Sequence, residues 1–364
     1  MIWWCARPSP TFTSSPLNIM AQATIRNVRY AGMATCVPKR VLSNIDDCPP
    51  QLRSARERVV RNIGIETRRI CHEWQTFSDL AFDAAERLLA DLKWERDEVD
   101  ALIVITQSPD YLIPATAIIM QERLKLKQTT IAFDINLGCS AYAFGLHVLG
   151  SMISAGGIKK GLILVGDKSA SVIEPLFSDA GTATALEFDP DAPPMYFDLN
   201  SDGSGQRAIM LPVGGHREPF GIQHTVPVKD EDGIWRSPTA LVLDGPAVLS
   251  FSTQQVPPAV RNLLEYAGCS SEQVDYFIFH QANRMINETI RKKLGLPPEK
   301  VPSTLQDFGN TSGASLPVTM TVRIREALQE GKKKVLLSGF GIGLSWGSCI
   351  LEIDGAVFPE LIES

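Results

Sequence analysis

Three residues of the 364-residue chain combine a reactive side chain with a suitable setting: Cys139, His280 and Asn310. Cys139 falls in Asp134-Ile-Asn-Leu-Gly-Cys-Ser-Ala141, between an apolar strand-like run and an apolar helical stretch. Its backbone therefore lies at or just before a helix N-terminus, where the dipole and unpaired N–H groups lower a thiol's pKa from about 8.5. Gly138 permits a sharp strand-to-helix turn that presents the side chain. The plain alternative is a small buried hydrophobe; it suits the other six cysteines, at 5, 36, 48, 71, 269 and 349, and for Cys139 the two readings stand level. His280 ends the apolar run Tyr276-Phe-Ile-Phe279, at the C-terminal edge of a strand, where open parallel sheets place their sites. His72, His216 and His224 fall in expected loops, and His147 lies inside the Cys139 helix. Asn310 belongs to Asp307-Phe-Gly-Asn-Thr-Ser-Gly-Ala314, a Gly-rich loop where Asn by itself reads as a turn residue.

The elements that must hold these groups emerge from an internal repeat. Leu88-Leu89, Glu98-Val99-Asp100 and Leu102-Ile103-Val104 recur as Leu263-Leu264, Gln273-Val274-Asp275 and Phe277-Ile278-Phe279, each displaced by 175 residues (263 − 88, 274 − 99, 278 − 103). Gly157-Ile-Lys-Lys160 recurs as Gly331-Lys-Lys-Lys334, displaced by 174 (331 − 157), each ahead of an apolar run. Two related halves follow. In the first, residues 80–93 are expected as helix, 101–106 and 130–135 as strands, 140–155 as a helix stopped by Gly156-Gly157, and 162–166 as strand. In the second, 258–267, 282–294 and 315–330 are expected as helices, with 276–280 and 335–339 as strands. Strands alternating with helices imply parallel sheets covered by helices. Asn310 lies 171 residues after Cys139 (310 − 139), so halves packed about a pseudo-two-fold axis bring the two loops together.

Composition narrows the partners. The chain is 44% hydrophobic and 21% charged, enough apolar material for a large core. A formal charge of -6 disfavours nucleic acid as a partner, and no apolar run approaches the roughly 20 residues of a membrane span. Seven cysteines with no C-x-x-C pair remove zinc-site and thioredoxin-like spacings and fit a reducing cytoplasm. Residues 1–24 are expected as a loose N-terminal extension, with Met20 a candidate start. Residues 25–190 form the first half, 191–245 a hairpin and loop connection, 246–355 the second half and 356–364 a tail.

Four strings in order, Gly138-Cys-Ser-Ala141, His280-Gln-Ala-Asn283, Gly309-Asn-Thr-Ser312 and Phe340-Gly-Ile-Gly-Leu-Ser-Trp-Gly347, resemble the beta-ketoacyl-[acyl carrier protein] synthase III family of thiolase-fold condensing enzymes. Gly64-Ile-Glu-Thr-Arg-Arg69 and Phe177-Ser-Asp-Ala-Gly181 extend the similarity over about residues 25 to 353. The resemblance implies an α/β, thiolase-like fold of two pseudo-symmetric halves in α-β-α-β-α layers. It implies that Cys139 is acylated by a thioester, with backbone N–H groups of Cys139 and Ile342 as oxyanion hole. His280 and Asn310 would then stabilise the enolate formed when a malonyl thioester, on acyl carrier protein, loses carbon dioxide. No metal or redox cofactor is implied; coenzyme A or acyl carrier protein thioesters are substrates.

By the same resemblance Asn283, Ile113, Arg58 and Arg284 are substrate-binding positions, and the chain is a homodimer in which Ile113 enters the partner's acyl pocket. The chain departs from the family pattern where coenzyme A is held. Arg58 replaces a stacking Trp, Asn62 replaces an Arg, Met285 replaces an Arg with Arg284 one place earlier, and the loop before Phe177 is short. These changes point to a longer or specialised primer, with the donor either coenzyme A or a carrier protein; the plain alternative is that Arg58 and Arg284 rebuild a coenzyme A site in another way. A polyketide-synthase-like enzyme of secondary metabolism and a catalytically silent subunit of a condensing heterodimer are the alternatives. A thiolase would need a second active cysteine in a Cys-x-Gly loop, and Cys349 has the wrong setting.

Overall fold

The short apolar runs resolve into two stacked mixed sheets in a computed structural model that describes residues 21–171, 174–229 and 235–364. The strands used below are Ala21–Ile25 (β1), Val28–Val37 (β2), Ala101–Ile105 (β3), Ile131–Ile135 (β4), Lys160–Asp167 (β5), Ala180–Phe188 (β6), Met195–Ser201 (β7), Tyr276–Phe279 (β8), Lys333–Gly341 (β9), Ser345–Ile353 (β10) and Ile362–Glu363 (β11). The helices are Arg53–Ile63 (α1), Phe77–Leu92 (α2), Thr116–Arg123 (α3), Ala141–Ser154 (α4), Gly245–Tyr266 (α5), Arg284–Leu294 (α6), Leu305–Phe308 (α7), Ser315–Thr319 (α8) and Arg325–Gln329 (α9). One sheet has the order β11-β2-β6-β5-β3-β4 and the other β1-β7-β10-β9-β8. The repeat persists in the pairing: Ala101 faces Gly161 in one sheet and Tyr276 faces Val335 in the other, offsets of 175 (276 − 101) and 174 (335 − 161).

Burial on alternate faces builds five layers. Leu102, Val104, Leu162 and Leu164 pack outward against Leu80, Ala84 and Leu88 of α2. The neighbours Ile103, Ile105, Ile163 and Val165 face inward, onto Leu146, Leu149 and Ile153 of α4. From the other side Leu316, Met320 and Leu328, on the helical stretch that includes α8 and α9, join the same central layer with Ile278, Val335 and Leu337. Val260, Leu263, Ile286 and Ile290 of α5 and α6 cover the far face. Each fully buried aliphatic side chain contributes about 1.5 to 3 kcal/mol. The α4 packing therefore exceeds the roughly 1 kcal/mol that each of Gly145 and Gly150 costs within that helix. Gly145 is needed there, because a Cβ would stand 2.5 Å from Ile105 Cδ1.

Several expectations are corrected. The sheets are mixed: β3, β4 and β5 run parallel, as do β8 and β9 and the edge pair β2 and β11, while β6, β7 and β10 are antiparallel to their neighbours and β2 is antiparallel to β6. Residues 342–344 between β9 and β10 are too few for a crossover connection, so the chain must reverse. Helix α5 begins at Gly245, not near 258, because Asp244 Oδ1 accepts the Ala247 N–H at 2.9 Å and Pro257 and Pro258 are carried inside it. The connection contains a full sheet strand, β7, besides its small hairpins. Residues 21–24, expected within a loose N-terminal extension, instead belong to β1, which pairs with β7; the rest of that expectation, residues 1–20, lies outside the described residues. The tail is docked: Ile362 and Glu363 pair with Cys36 and Val37, and Phe358 is buried. Among the described residues no helix is long and apolar enough to cross a membrane.

Candidate active site

Cys139 sits in the turn that leads from β4 into α4, closed by the Ala141 N–H donating to Gly138 O at 2.8 Å. Space accounts for the surrounding glycines. A Cβ on Gly138 would stand 2.4 Å from Gln107 Oε1, one on Gly339 2.6 Å from Cys139 O, and one on Gly341 2.9 Å from Cys139 Sγ. Gly138 therefore serves close approach, and it is not among the glycines at positive φ. Only 9% of Cys139 is exposed. Burial pushes its thiol up to about 11, which overturns the expectation of a lowered pKa. The backbone N–H groups of Ile342 and of Cys139 itself, with the Ser312 hydroxyl, pull the other way by favouring the thiolate, and the nearby Asp167 charge adds to the rise. Desolvation outweighs a helix end when the sulfur is this enclosed.

His280 follows β8 directly, held by its N–H donating to Ser338 O at 2.8 Å. Its ring is 1% exposed, edge-on to Phe340, with Nδ1 2.8 Å from Ser315 Oγ. Burial lowers its pKa to about 3, so the imidazole is neutral; a hydrogen bond to the Ser312 backbone opposes that shift. Asn310 is pinned from both sides, its N–H donating to Leu176 O at 3.0 Å and its carbonyl accepting from the Ser178 N–H at 2.9 Å. Its Oδ1 accepts the Ser312 N–H at 2.9 Å.

Ser312 thus bears on all three groups: its hydroxyl favours the Cys139 thiolate, its backbone the charged form of the His280 ring, and its N–H donates to the Asn310 side chain. It holds a left-handed backbone, φ 51°, uncommon for a residue with a Cβ. The same hydroxyl reaches the buried Asp167 carboxylate, which also accepts from Thr106 Oγ1 at 2.8 Å and the Gln107 N–H at 2.7 Å. Gln281 braces the loops. Its Nε2 donates to Phe279 O at 2.7 Å, and its Oε1 accepts from Ser303 Oγ at 2.8 Å and the Thr304 N–H at 3.1 Å. The sequence reading missed Ser312, Ser315, Asp167 and Gln281 as working residues, although Ser312 and Gln281 lie inside two of the motifs.

The expected substrate-binding residues are more scattered. Asn283 caps α6, its Oδ1 accepting the Ile286 N–H at 2.9 Å. Arg284 lies across Gly64 at the end of α1 and donates to Arg61 O. Arg58 is exposed on α1. Ile113 is 86% exposed, beside exposed Tyr111 and Leu112.

Two sheets of matching strand order, with a cysteine at the head of one central helix and His and Asn loops from the other half, define a thiolase-fold condensing enzyme, an acyltransferase. Residues 133–203 match the family model for 3-oxoacyl-[acyl-carrier-protein] synthase III, and residues 264–353 match that of its C-terminal part. A beta-ketoacyl-[acyl-carrier-protein] synthase III of Streptococcus equi subsp. zooepidemicus is 31% identical over 89% of this chain and 99% of its own length. One of Neisseria gonorrhoeae is 30% identical over 89% and 98%. The crystal structure of a 3-oxoacyl-(acyl-carrier protein) synthase from Burkholderia xenovorans LB400 superposes with a TM-score of 0.88 at 35% identity, covering 95% of this chain and 99% of that one. The chain belongs to the beta-ketoacyl-[acyl-carrier-protein] synthase III family.

Proposed function

We propose that the protein joins an acyl thioester to malonyl-[acyl carrier protein] by decarboxylative Claisen condensation through an acyl-Cys139 intermediate. The observation that carries this reading is the meeting of Cys139, His280 and Asn310 on Ser312. Cys139 sulfur attacks the thioester carbonyl carbon, the donor's C–S bond breaks, and its thiol leaves with the proton. The malonyl carboxylate then departs as carbon dioxide. Its C–C electron pair forms an enolate whose oxygen takes hydrogen bonds from His280 Nε2–H and the Asn310 amide. This requires the tautomer in which Nδ1 accepts from the Ser315 hydroxyl and the neutral ring carries its proton on Nε2. Each such donor contributes about 3 to 4 kcal/mol where charge develops. The enolate carbon attacks the acyl carbonyl, the N–H groups of Cys139 and Ile342 take the oxyanion, and collapse expels the Cys139 thiolate with the 3-oxoacyl product.

The enzyme works in the cytoplasm as a homodimer that lends Ile113 to its partner's acyl pocket. The half-exposed terminal strand β4 and the exposed Tyr111-Leu-Ile113 loop support pairing through the first sheet. A longer or specialised primer is favoured by Arg58, which stands exposed where the family resemblance puts a stacking aromatic.

Intact-mass measurement after exposure to acyl thioesters tests the core of this reading. One adduct is expected, absent in Cys139→Ala and retained in His280→Ala and Asn310→Ala, which lose malonyl decarboxylation. An adduct that survives Cys139→Ala refutes it.

A further inference from the structure

The two backbone N–H groups that take the oxyanion in the reading above come from different halves of the protein. That of Cys139 stands at the head of α4, and that of Ile342 lies in the short turn from β9 to β10. A pair of serine hydroxyls joins them. Ser345 Oγ donates to Ile342 O at 2.8 Å, and Ser140 Oγ lies 2.7 Å from Ser345 Oγ. A hydroxyl carries one proton, and that of Ser345 is used on a carbonyl that can only accept. Ser140 is therefore the donor to Ser345. Ser140 is fully buried and Ser345 is 3% exposed, so both bonds are shielded from solvent.

Ser140 occupies the N-cap of α4, where a serine hydroxyl ordinarily accepts an N–H from the first helical turn. Here its side chain makes no such bond. It reaches instead to the other half, a residue 205 positions away. The far end of the β9–β10 turn is held by backbone: Leu344 N–H donates to Asp202 O at 3.0 Å, and Leu344 O accepts from the Asp202 N–H at 2.8 Å. The near end depends on the serines. Only two backbone torsions separate the carbonyl of Ile342 from its N–H, so fixing the one limits where the other points.

Oxyanion donors act at 2.7 to 3.1 Å from the developing charge, a tolerance of a few tenths of an ångström. We propose that Ser140 and Ser345 are positioning residues that hold the Ile342 N–H in register with that of Cys139, so that the two halves present one oxyanion hole. The inference rests on the condensing reading above and adds what keeps its two donors together. The Ile342 N–H also favours the Cys139 thiolate, so a loosened turn should be visible in the thiol itself.

Ser140→Ala, Ser345→Ala, the double variant and Ser345→Thr are to be compared by three rates: acylation of Cys139 by acetyl- or octanoyl-coenzyme A, alkylation of Cys139 by iodoacetamide at fixed pH, and decarboxylation of malonyl-[acyl carrier protein]. Removing one oxyanion donor outright costs about 100- to 1000-fold, so freeing its turn is expected to slow maximal acylation by about 10- to 100-fold, with the half-saturating thioester concentration unchanged. Decarboxylation, which draws on His280 and Asn310, should stay within about twofold. The double variant should be no slower than Ser345→Ala, because Ser140 acts through Ser345. Ser345→Thr keeps the hydroxyl and should recover most of the rate. Equal losses in acylation and decarboxylation, single losses that multiply in the double variant, a threonine variant as slow as alanine, or no loss at all overturn the proposal. Alkylation separates it from the condensing reading. Slower alkylation in Ser345→Ala supports the serine pair even if no thioester acylates Cys139, and an unchanged or faster rate overturns the pair whatever the thioesters do. Should Ser345→Ala fail to fold, Ser140→Ala, which leaves the Ser345–Ile342 bond in place, is judged by the same outcomes.

Discussion

His280 Nδ1 and Ser315 Oγ lie 2.8 Å apart, joining the end of β8 to the first turn of α8. The serine is held in turn, its carbonyl accepting from Thr319 Oγ1 at 2.8 Å, with Thr319 Oγ1 2.9 Å from Thr304 Oγ1. Ser315 thereby fixes the orientation of the imidazole. Ser315→Ala is expected to slow malonyl decarboxylation by about 10- to 100-fold, the size of effect seen when a hydrogen-bond partner that orients a metal-bound histidine is removed, while acylation of Cys139 stays within about twofold. Carbon dioxide release and intact mass, measured on the same preparation, check the split; equal losses in both would sink it.

His280 gives a pH signature. Burial holds its folded pKa at about 3, below the ordinary value of 6.5. Between those values the unfolded chain binds the extra proton, so stability falls as pH drops from 6.5 toward 3, by about 1.4 kcal/mol per unit from this residue. Denaturant unfolding of the wild type and His280→Gln across that range is expected to show a shallower slope in the variant. Decarboxylation should show no step from His280 titration between pH 5 and 8.

For Cys139 the sign is reversed. A thiol pushed up to about 11 stays protonated near neutrality. Its alkylation by iodoacetamide should therefore rise about tenfold per pH unit from 7 to 10, because the thiolate is the reacting form. The folded state holds this proton more tightly, so the stability it confers is present below the unfolded thiol's pKa and lost as pH climbs toward 11. Ser312→Ala removes a donor to the thiolate and should slow alkylation at fixed pH. Faster alkylation in that variant would count against the Ser312 hydroxyl as such a donor.

Gln281 is 1% exposed and makes three hydrogen bonds that tie His280's strand to the segment before Asn310. Gln281→Leu leaves buried partners unpaired at about 1 to 3 kcal/mol each. A lower denaturant midpoint is expected, together with a larger loss in decarboxylation than in acylation. Gln281→Glu keeps the Oε acceptor and should recover part of the activity.

The homodimer is tested through Ile113, 86% exposed in one chain. Sedimentation should give twice the 39.9 kDa chain mass for the wild type. Ile113→Asp should weaken association or acyl-chain affinity; a monomeric wild type at micromolar concentration would refute the dimer.

Local pattern determined much of this protein. The 175-residue repeat, the strands around Ile103 and Ile278 and the α4 helix were legible because burial on both strand faces forces continuous apolar runs, and glycine pairs end helices. Cys139 and His280 stood out for the same reason, each closing or following such a run, and Asn310 by its place in a Gly-rich loop 171 residues after Cys139 (310 − 139). Strand direction was not legible, since whether β10 returns parallel or antiparallel to β9 depends on connection length and on which neighbour is free. Helix α5 ran past Pro257 and Pro258 because packing of Val256, Val260 and Leu263 outweighed local propensity. Only the tertiary structure could decide the direction of the Cys139 pKa, which is fixed by how completely two halves enclose one sulfur. It alone made Ser312 the meeting point, because contacts between residues 139, 280 and 312 come from packing one half against the other, and no sequence spacing encodes that.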